Sequence, residues 1–483
     1  MDLEGTVVQN EFLVDMARLK GAENEVTHIT ESAMSGKIPL SDAINKRFGL
    51  IKGISFESVL GVAENVCFNK GAEELIEWLE SEGCETAIVS NGFLFFAEKI
   101  AKKLKVKEVY ANNLVFKNNI LDSAETKINK EAVAKKYLDS GFAVIAVGDG
   151  ANDIEMFRNS SVSFAIGDRK EVIQNADFSV FGLSEIKEIL EKPFFVVSSD
   201  VKLPDFKGNI LRFDSDADLL KRIPIASVLV VRSQKITKEI LEKAPNLKLI
   251  IRQGVGLDNI DAVFCNEKGI EVINTPLSAP SVVELVVGFM VLASRKIIVH
   301  QELMKKGEWE NRNEVVGTEL FGKTIGIVGL GRIGSGVARV CHALGMRVIY
   351  YDPFVEETLY EKRFCIEKLF EESDILTFHV PLTNETKHML NSDNVNLLKN
   401  GAILINASRG KVVEFESVKK ALENNLLSAV CLDVHYQEPP EYASLLGDDR
   451  LILTPHLGGS TIEAQKRMEV RVKEILLQKG LGG

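Results

Sequence analysis

Short apolar runs ending in turns rich in Gly, Asp and Asn recur along this 483-residue chain, at residues 86–89, 143–147, 324–328, 347–351 and 402–405. Runs of this length without polar alternation are what strands buried on both faces look like. Amphipathic stretches lie between them, such as 70–82 and 333–344. Strand, helix and strand in repetition predict α/β architecture with doubly wound parallel sheets. Residues 11–70 break the rhythm. They are helical in pattern, lack apolar strand runs, and read as a helical insert behind the first strand.

A chain this long exceeds one hydrophobic core, so two or more domains are expected. One boundary falls near 191–193, where a helical pattern ends and a fresh strand pattern begins. A small α/β unit follows to about residue 276. A long apolar helix near 278–294 then leads into a second large α/β unit, and the amphipathic tail 461–479 is expected to cross back to the small unit. The expected domains are 1–192 (insert about 11–70), 193–276 together with 457–483, and 277–456.

The net charge of −11, with no standout Lys/Arg cluster, argues against a nucleic-acid footprint. No apolar run approaches the roughly 18 residues that span a membrane, and no signal-peptide pattern precedes residue 30. The six cysteines are scattered without a CxxC pair, as in reduced cytoplasmic proteins.

The first chemical constellation opens with Asp2-Leu3-Glu4-Gly5-Thr6. It continues with Ser90-Asn91-Gly92, Lys127, and Gly148-Asp149-Gly150-Ala151-Asn152-Asp153. Singly, such residues are turn and cap formers. In this order they assemble phosphoryl-transfer parts. One carboxylate attacks phosphorus, and an acid two residues later serves the leaving oxygen. A hydroxyl and an ammonium hold the phosphate. A further carboxylate completes an oxygen-rich Mg²⁺ site.

The set resembles the haloacid-dehalogenase superfamily, in particular its phosphoserine phosphatases, over residues 2 to about 190. The resemblance implies a Rossmann-like domain with a helical cap. Asp2 is then the nucleophile and Glu4 the acid/base, where the family usually has Asp. Asp2, Asp149 and the Glu4 carbonyl would hold Mg²⁺, with Asp153 supporting them. Ser90, Asn91, Lys127 and Asn152 would hold phosphate and substrate, and Glu11 and Arg47 would grip the amino and carboxylate groups. It also implies a first strand ahead of Asp2 that this sequence does not contain. The expectation is weak or no hydrolysis until that strand is restored, or else a catalytically silent module.

The second constellation begins with Gly329-Leu330-Gly331-Arg332-Ile333-Gly334, placed between a strand and a helix, with Asp352 ending the next strand. That context predicts dinucleotide binding. The glycines admit a pyrophosphate, and the acid accepts from ribose hydroxyls and favours NAD over NADP. Further on lie Arg409 in Asn406-Ala407-Ser408-Arg409-Gly410, Glu438 before Pro439-Pro440, and His456 in Pro455-His456-Leu457-Gly458-Gly459. Hydride transfer at a 2-hydroxy acid needs a proton carrier near neutral pH, a carboxylate to orient it, and an Arg for the substrate carboxylate.

These motifs, with Arg252-Gln253-Gly254-Val255-Gly256-Leu257-Asp258-Asn259, resemble the D-isomer-specific 2-hydroxyacid dehydrogenases, and among them the phosphoglycerate dehydrogenases, over about 194–483. The resemblance implies a flavodoxin-like substrate domain and a Rossmann NAD domain, paired as a homodimer through the latter. Arg409, Glu438 and His456 are then catalytic. Arg232 meets a substrate phosphate, and Gly254 and Gly256 meet its carboxylate. Gly329, Gly331, Arg332, Ile333, Gly334, Asp352, Ala407, Asp433, Gly458 and Gly459 meet NAD, as does Val255, where the family often has Thr. A regulatory module after residue 483 is not expected. Together the halves imply serine biosynthesis from small phosphorylated three-carbon acids: oxidation of 3-phosphoglycerate and hydrolysis of phosphoserine. The alternative is a dehydrogenase of another 2-hydroxy acid, such as glyoxylate or D-lactate, carrying a silent phosphatase-like module.

Overall fold

The computed structural model describes residues 1–481 apart from 35–36, 126, 204, 357 and 441–447. Among the described residues no helix is long and apolar enough to cross a membrane. Three α/β units follow one another along the chain.

The first unit holds two three-stranded sheets. One contains Ala87–Phe93, Glu108–Lys117 and Ile120–Glu125, and the other Ile145–Gly148, Val162–Ile166 and Phe178–Val180. Residues 1–3 run between them, where the sequence leads one to expect an absent strand. The amide of Val89 donates to the Met1 carbonyl at 2.9 Å, and that of Asp2 donates to the Val147 carbonyl at 2.8 Å. Both sheets therefore bond to one short segment, which carries the nucleophile candidate. The insert forms four helices, Phe12–Arg18, Glu23–Met34, Leu40–Ile51 and Phe56–Glu64. Its anchor is apolar: Phe12 stacks on Phe96 with ring centroids 4.2 Å apart. Such a pair adds about 0.5–1.5 kcal/mol beyond its buried area.

The second unit is a parallel sheet in the order Glu271–Asn274, Leu249–Arg252, Ala226–Val231, Phe194–Ser198, Asn209–Phe213. The closing helix, Ile462–Gln478, returns to one face of it. Its Val472, Ile475 and Leu476 share a core with Phe195, Val197, Val230 and Ile251. The opposite face is continuous with the core of the first unit. At that junction Phe178 meets Phe194 edge-on at 6.1 Å. Asp177 accepts from Arg222 at 2.7 Å, with both side chains largely buried. The first two units thus share one core.

The third unit is a seven-stranded parallel sheet. Its first strand, Thr324–Val328, lies in the interior of the sheet, flanked by Arg347–Tyr351 and Ile375–Phe378. The chain reverses its winding direction there, and ligands bind at such switch points, outside the carboxyl ends of the strands. Helix Ala279–Ser294 crosses Arg332–Ala343, where Gly336 makes room for Val283: a Cβ at Gly336 would lie 2.6 Å from it.

Two candidate active sites

In the first unit, the three strand-end segments converge. Asp2, Asp149 and Asp153 each bring one carboxylate oxygen within 4.8 Å of the others, all buried. Lys130 lies between two of them, 2.7 Å from Asp2 and 2.6 Å from Asp153, and is itself buried. Burial and the facing Asp153 push the Asp2 carboxyl up to about 7, against the pull of Lys130. Three close carboxylates face one buried ammonium and, at Asp149, the partly exposed Arg169 guanidinium, which still leaves a surplus of negative charge and of oxygen donors. That suits a hard divalent cation such as Mg²⁺.

Asp153 also caps the loop, accepting from the amides of Asp149 at 3.1 Å and Gly150 at 3.0 Å. Thr6 donates to Asp149 at 3.0 Å. Glu4 accepts from the amide of Phe12 at 2.9 Å, so the candidate acid touches the first helix of the insert. Burial and the charge of Glu11 push its carboxyl up to about 8. Ser90 accepts from the Gly92 amide at 2.9 Å, and the carbonyl of Asn91 accepts from Asn112 at 2.7 Å. Asn152 lies on the single-turn helix Ala151–Asp153. Arg47 is buried in the insert, donating to Thr30 at 3.0 Å. Glu11 is close enough to Glu4 and Arg47 for their charges to act on one another.

Lys127 requires a correction. Its side chain is 78% exposed and pairs with Glu125 at 3.0 Å, while Lys130 takes the place expected of it. The cause is where the helix begins: Lys127 lies in the loop before it. Asn129 caps the helix by accepting from the Ala132 amide, and Lys130 is the first helical residue, turned inward. Arg169 was also missed. It donates to the Asp149 side chain at 3.2 Å and to its carbonyl at 3.1 Å. Its sequence setting, Gly167-Asp168-Arg169, resembles any surface turn.

The second site is a cavity of about 780 Å³ between the second and third units. His456 sits on its wall at φ 54°, a left-handed conformation rarely held by residues other than Gly and Asn. Asp433 holds it there. Its carbonyl accepts from the His456 amide at 2.9 Å, and its carboxylate accepts from the amides of Leu457 at 2.6 Å and Gly458 at 2.8 Å. Glu438 meets Nδ1 of His456 at 3.0 Å, which leaves Nε2 for a substrate. Burial raises the Glu438 carboxyl, but the hydrogen bond and charge of His456 outweigh it and keep Glu438 below the usual range. Arg409, in the turn after Ala402–Asn406, pairs with Asp258 at 2.7 Å. Arg232 donates to Ser460 at 3.0 Å.

Arg252 lines the same cavity and was missed as a site residue, although its motif was noticed. Burial and the nearby Arg409 and Arg232 press its guanidinium down to about 10, against Asp258 and Asp200. Its position at the end of Leu249–Arg252 was the available signal.

At the nucleotide end, Gly331 precedes helix Arg332–Ala343, with no side chain capping its amides. A Cβ at Gly331 would meet nothing within 4 Å, whereas one at Gly334 would lie 2.0 Å from the Gly329 carbonyl. The first glycine leaves open space for a pyrophosphate and the other permits close packing, so the cradle fits a dinucleotide. Asp352 accepts from the amides of Leu330 and Phe354, both at 2.8 Å. Ile333, Ala407, Gly458, Gly459, Gly254, Val255 and Gly256 also line the cavity.

Residues 287–458 match the family described as D-isomer specific 2-hydroxyacid dehydrogenase, NAD binding domain. The hydroxypyruvate reductase of Thermotoga maritima is 42% identical over 268 residues, which cover 54% of this chain and 87% of that relative. The chain belongs to the D-2-hydroxyacid dehydrogenase family. Its amino-terminal part, residues 1–160, matches the haloacid dehalogenase-like hydrolases. A D-3-phosphoglycerate dehydrogenase of Methanocaldococcus jannaschii is 43% identical over 264 residues, 53% of this chain. The chain spans about half of that relative's length, 50%. Among solved structures, the D-lactate dehydrogenase of Aquifex aeolicus complexed with NAD and lactic acid aligns with a TM-score of 0.55. That alignment is 30% identical and covers 59% of this chain and 96% of the other. This dehydrogenase is therefore a family member joined to a hydrolase-like domain.

If Asp352 reads the ribose, Asp352→Ala should weaken NAD and narrow the preference for NAD over NADP. Titrating both cofactors against the variant checks this. An unchanged NAD/NADP ratio would leave Asp352 only its loop hydrogen bonds.

Proposed function

We propose that the dehydrogenase half oxidises 3-phosphoglycerate to 3-phosphohydroxypyruvate with NAD, and that the amino-terminal half hydrolyses phosphoserine with Mg²⁺. The observation that carries the first part is the arginine set on one cavity: Arg232 and Arg252 in addition to Arg409. One guanidinium suffices for a carboxylate. Two more call for a second anion, and phosphate is the group that Arg forks bind best.

On this reading Arg409 holds the substrate carboxylate and polarises the reacting carbon–oxygen bond. His456 takes the hydroxyl proton on Nε2, and Glu438 steadies the ring and its developing charge. NAD, when bound, accepts the hydride. In the other half, an Asp2 oxygen attacks phosphorus as the ester oxygen leaves, and Glu4 gives that oxygen a proton. Glu4 then takes a proton from the water that releases phosphate from Asp2. Mg²⁺, when bound, offsets the phosphate charge. The raised carboxyl of Glu4 supports its acid role. We also place the protein in the cytoplasm, with six free cysteines in support. We read it as a homodimer through the nucleotide unit, whose helix Ile297–Lys306 and the turn after it leave Met304 and Trp309 more than half exposed.

Arg232→Ala and Arg252→Ala should each raise the KM for 3-phosphoglycerate, by an amount equivalent to roughly 1.5–3 kcal/mol per charge-assisted contact. The KM for an unphosphorylated 2-hydroxy acid should change little. Equal losses on both substrates would favour the second reading, reduction of hydroxypyruvate or glyoxylate beside a silent phosphatase-like module. Asp200 on the cavity wall favours that reading, because it offsets part of the cationic charge.

A further inference from the structure

We infer that Asp258 is a positioning residue for Arg409, holding its guanidinium across the cleft so that the substrate carboxylate meets donors already oriented. Arg409 belongs to the nucleotide unit, and Asp258 to the loop after strand Leu249–Arg252 of the substrate unit. Among the described residues theirs is the one ion pair that joins these two units. The contact is directional. Asp258 takes the Nε edge at 2.7 Å, and the Ser408 carbonyl takes Nη1 at 2.6 Å. A guanidinium has five N–H donors in a rigid plane, so fixing two of them fixes the rest. The remaining three are left for a ligand in the cavity that both residues line.

Gly256 gives independent support. A Cβ there would lie 1.6 Å from Nη2 of Arg409 and 2.5 Å from the Asp258 carboxylate. The pair occupies the space a side chain would take, so the glycine makes room for this arrangement as well as for a ligand. Charge supplies a second reason for an acid here. Arg232, Arg252 and Arg409 crowd one cavity, and the Arg409 charge disfavours that of Arg252. An anion behind Arg409 lowers that repulsion before substrate arrives. Arg409 in turn holds the Asp258 carboxyl below its usual range despite partial burial, so it stays ionised at neutral pH.

This inference rests on the dehydrogenase reading of the cleft. The test uses the full chain with Asp258→Asn and Asp258→Glu. Turnover is measured with 3-phosphoglycerate and NAD, and with hydroxypyruvate and NADH. Asp258→Asn should lower kcat about 10- to 100-fold, the cost of roughly an ångström of misplacement, with a smaller rise in KM and little change in NADH affinity or melting temperature. Asp258→Glu should recover part of the loss. An unchanged kcat, or a lower KM at unchanged kcat, would overturn the inference, because Asp258 would then merely compete for Arg409. If the unaltered chain turns over neither substrate, the dehydrogenase reading fails. Titrating oxalate into the NADH-loaded chain still decides the positioning role. Weaker oxalate binding by the Asn variant supports it, and equal affinity sinks it.

Discussion

His456→Ala should lower dehydrogenase turnover about 10²–10⁴-fold, the range for a lost general acid/base, while NAD binding is retained. The geometry separates these two effects. The imidazole is joined to Glu438 through Nδ1, whereas its loop is held by backbone bonds to Asp433 that the substitution leaves in place. One confounding cost is local: alanine is strained at φ 54°. His456→Asn controls for it, since Asn tolerates that conformation but is no base. Both variants should lose turnover alike, with fluorescence titration showing near-normal NADH affinity. Recovery of turnover by the Asn variant would mean that backbone geometry, not proton transfer, was at stake. Glu438→Gln should lose less than His456→Ala, because the ring nitrogen survives.

Asp2→Asn should reduce phosphoserine hydrolysis to the level of a no-enzyme control, since a neutral amide does not attack phosphorus to form the acyl phosphate. Measured phosphate release with and without Mg²⁺ checks this, and retained Mg²⁺-dependent release would remove Asp2 from the mechanism. The fold should survive. The variant removes one of three mutually repelling carboxylates, and Lys130 keeps Asp153 at 2.6 Å. Lys130→Met is the opposite case. It strands buried Asp2 and Asp153 without their cation, and breaking such a pair costs roughly 3–5 kcal/mol. Lys127→Met should be close to neutral by the same denaturation measurement, because its 3.0 Å pair with Glu125 lies in solvent. Equal destabilisation by the two lysine variants would contradict the buried clamp.

Most residues of both candidate sites were legible in the sequence because they sit at the ends of strands. In parallel α/β units the chain emerges there into turns whose residue types are constrained locally. Gly329, Gly331 and Gly334 read as a dinucleotide turn from spacing and context alone. Asp2, Glu4 and Asp149 read as a set from their order. What failed was anything set by where a helix begins or by a distant partner. Lys127 and Lys130 lie three residues apart in a short stretch rich in lysine, and only the cap at Asn129 decides that Lys127 stays in the loop while Lys130 opens the helix and faces inward. Arg252 looked like a motif residue of no stated role until its burial beside Arg232 and Arg409 appeared.

The sequence by itself determined the α/β class, the order of the units and the residue types gathered at each candidate site, because hydrophobic period and turn composition are local properties of the chain. Only the tertiary structure decided which charges compensate one another. Asp258 and Arg409 are 151 residues apart, and Asp177 and Arg222 are 45 apart. Tertiary structure also decided that the hydrolase-like and substrate units share one core through Phe178 and Phe194, and that residues 1–3 join two sheets. Local sequence states which residues want burial or a partner. It does not state which partner, because that choice depends on how separate surfaces meet once the chain has closed on itself.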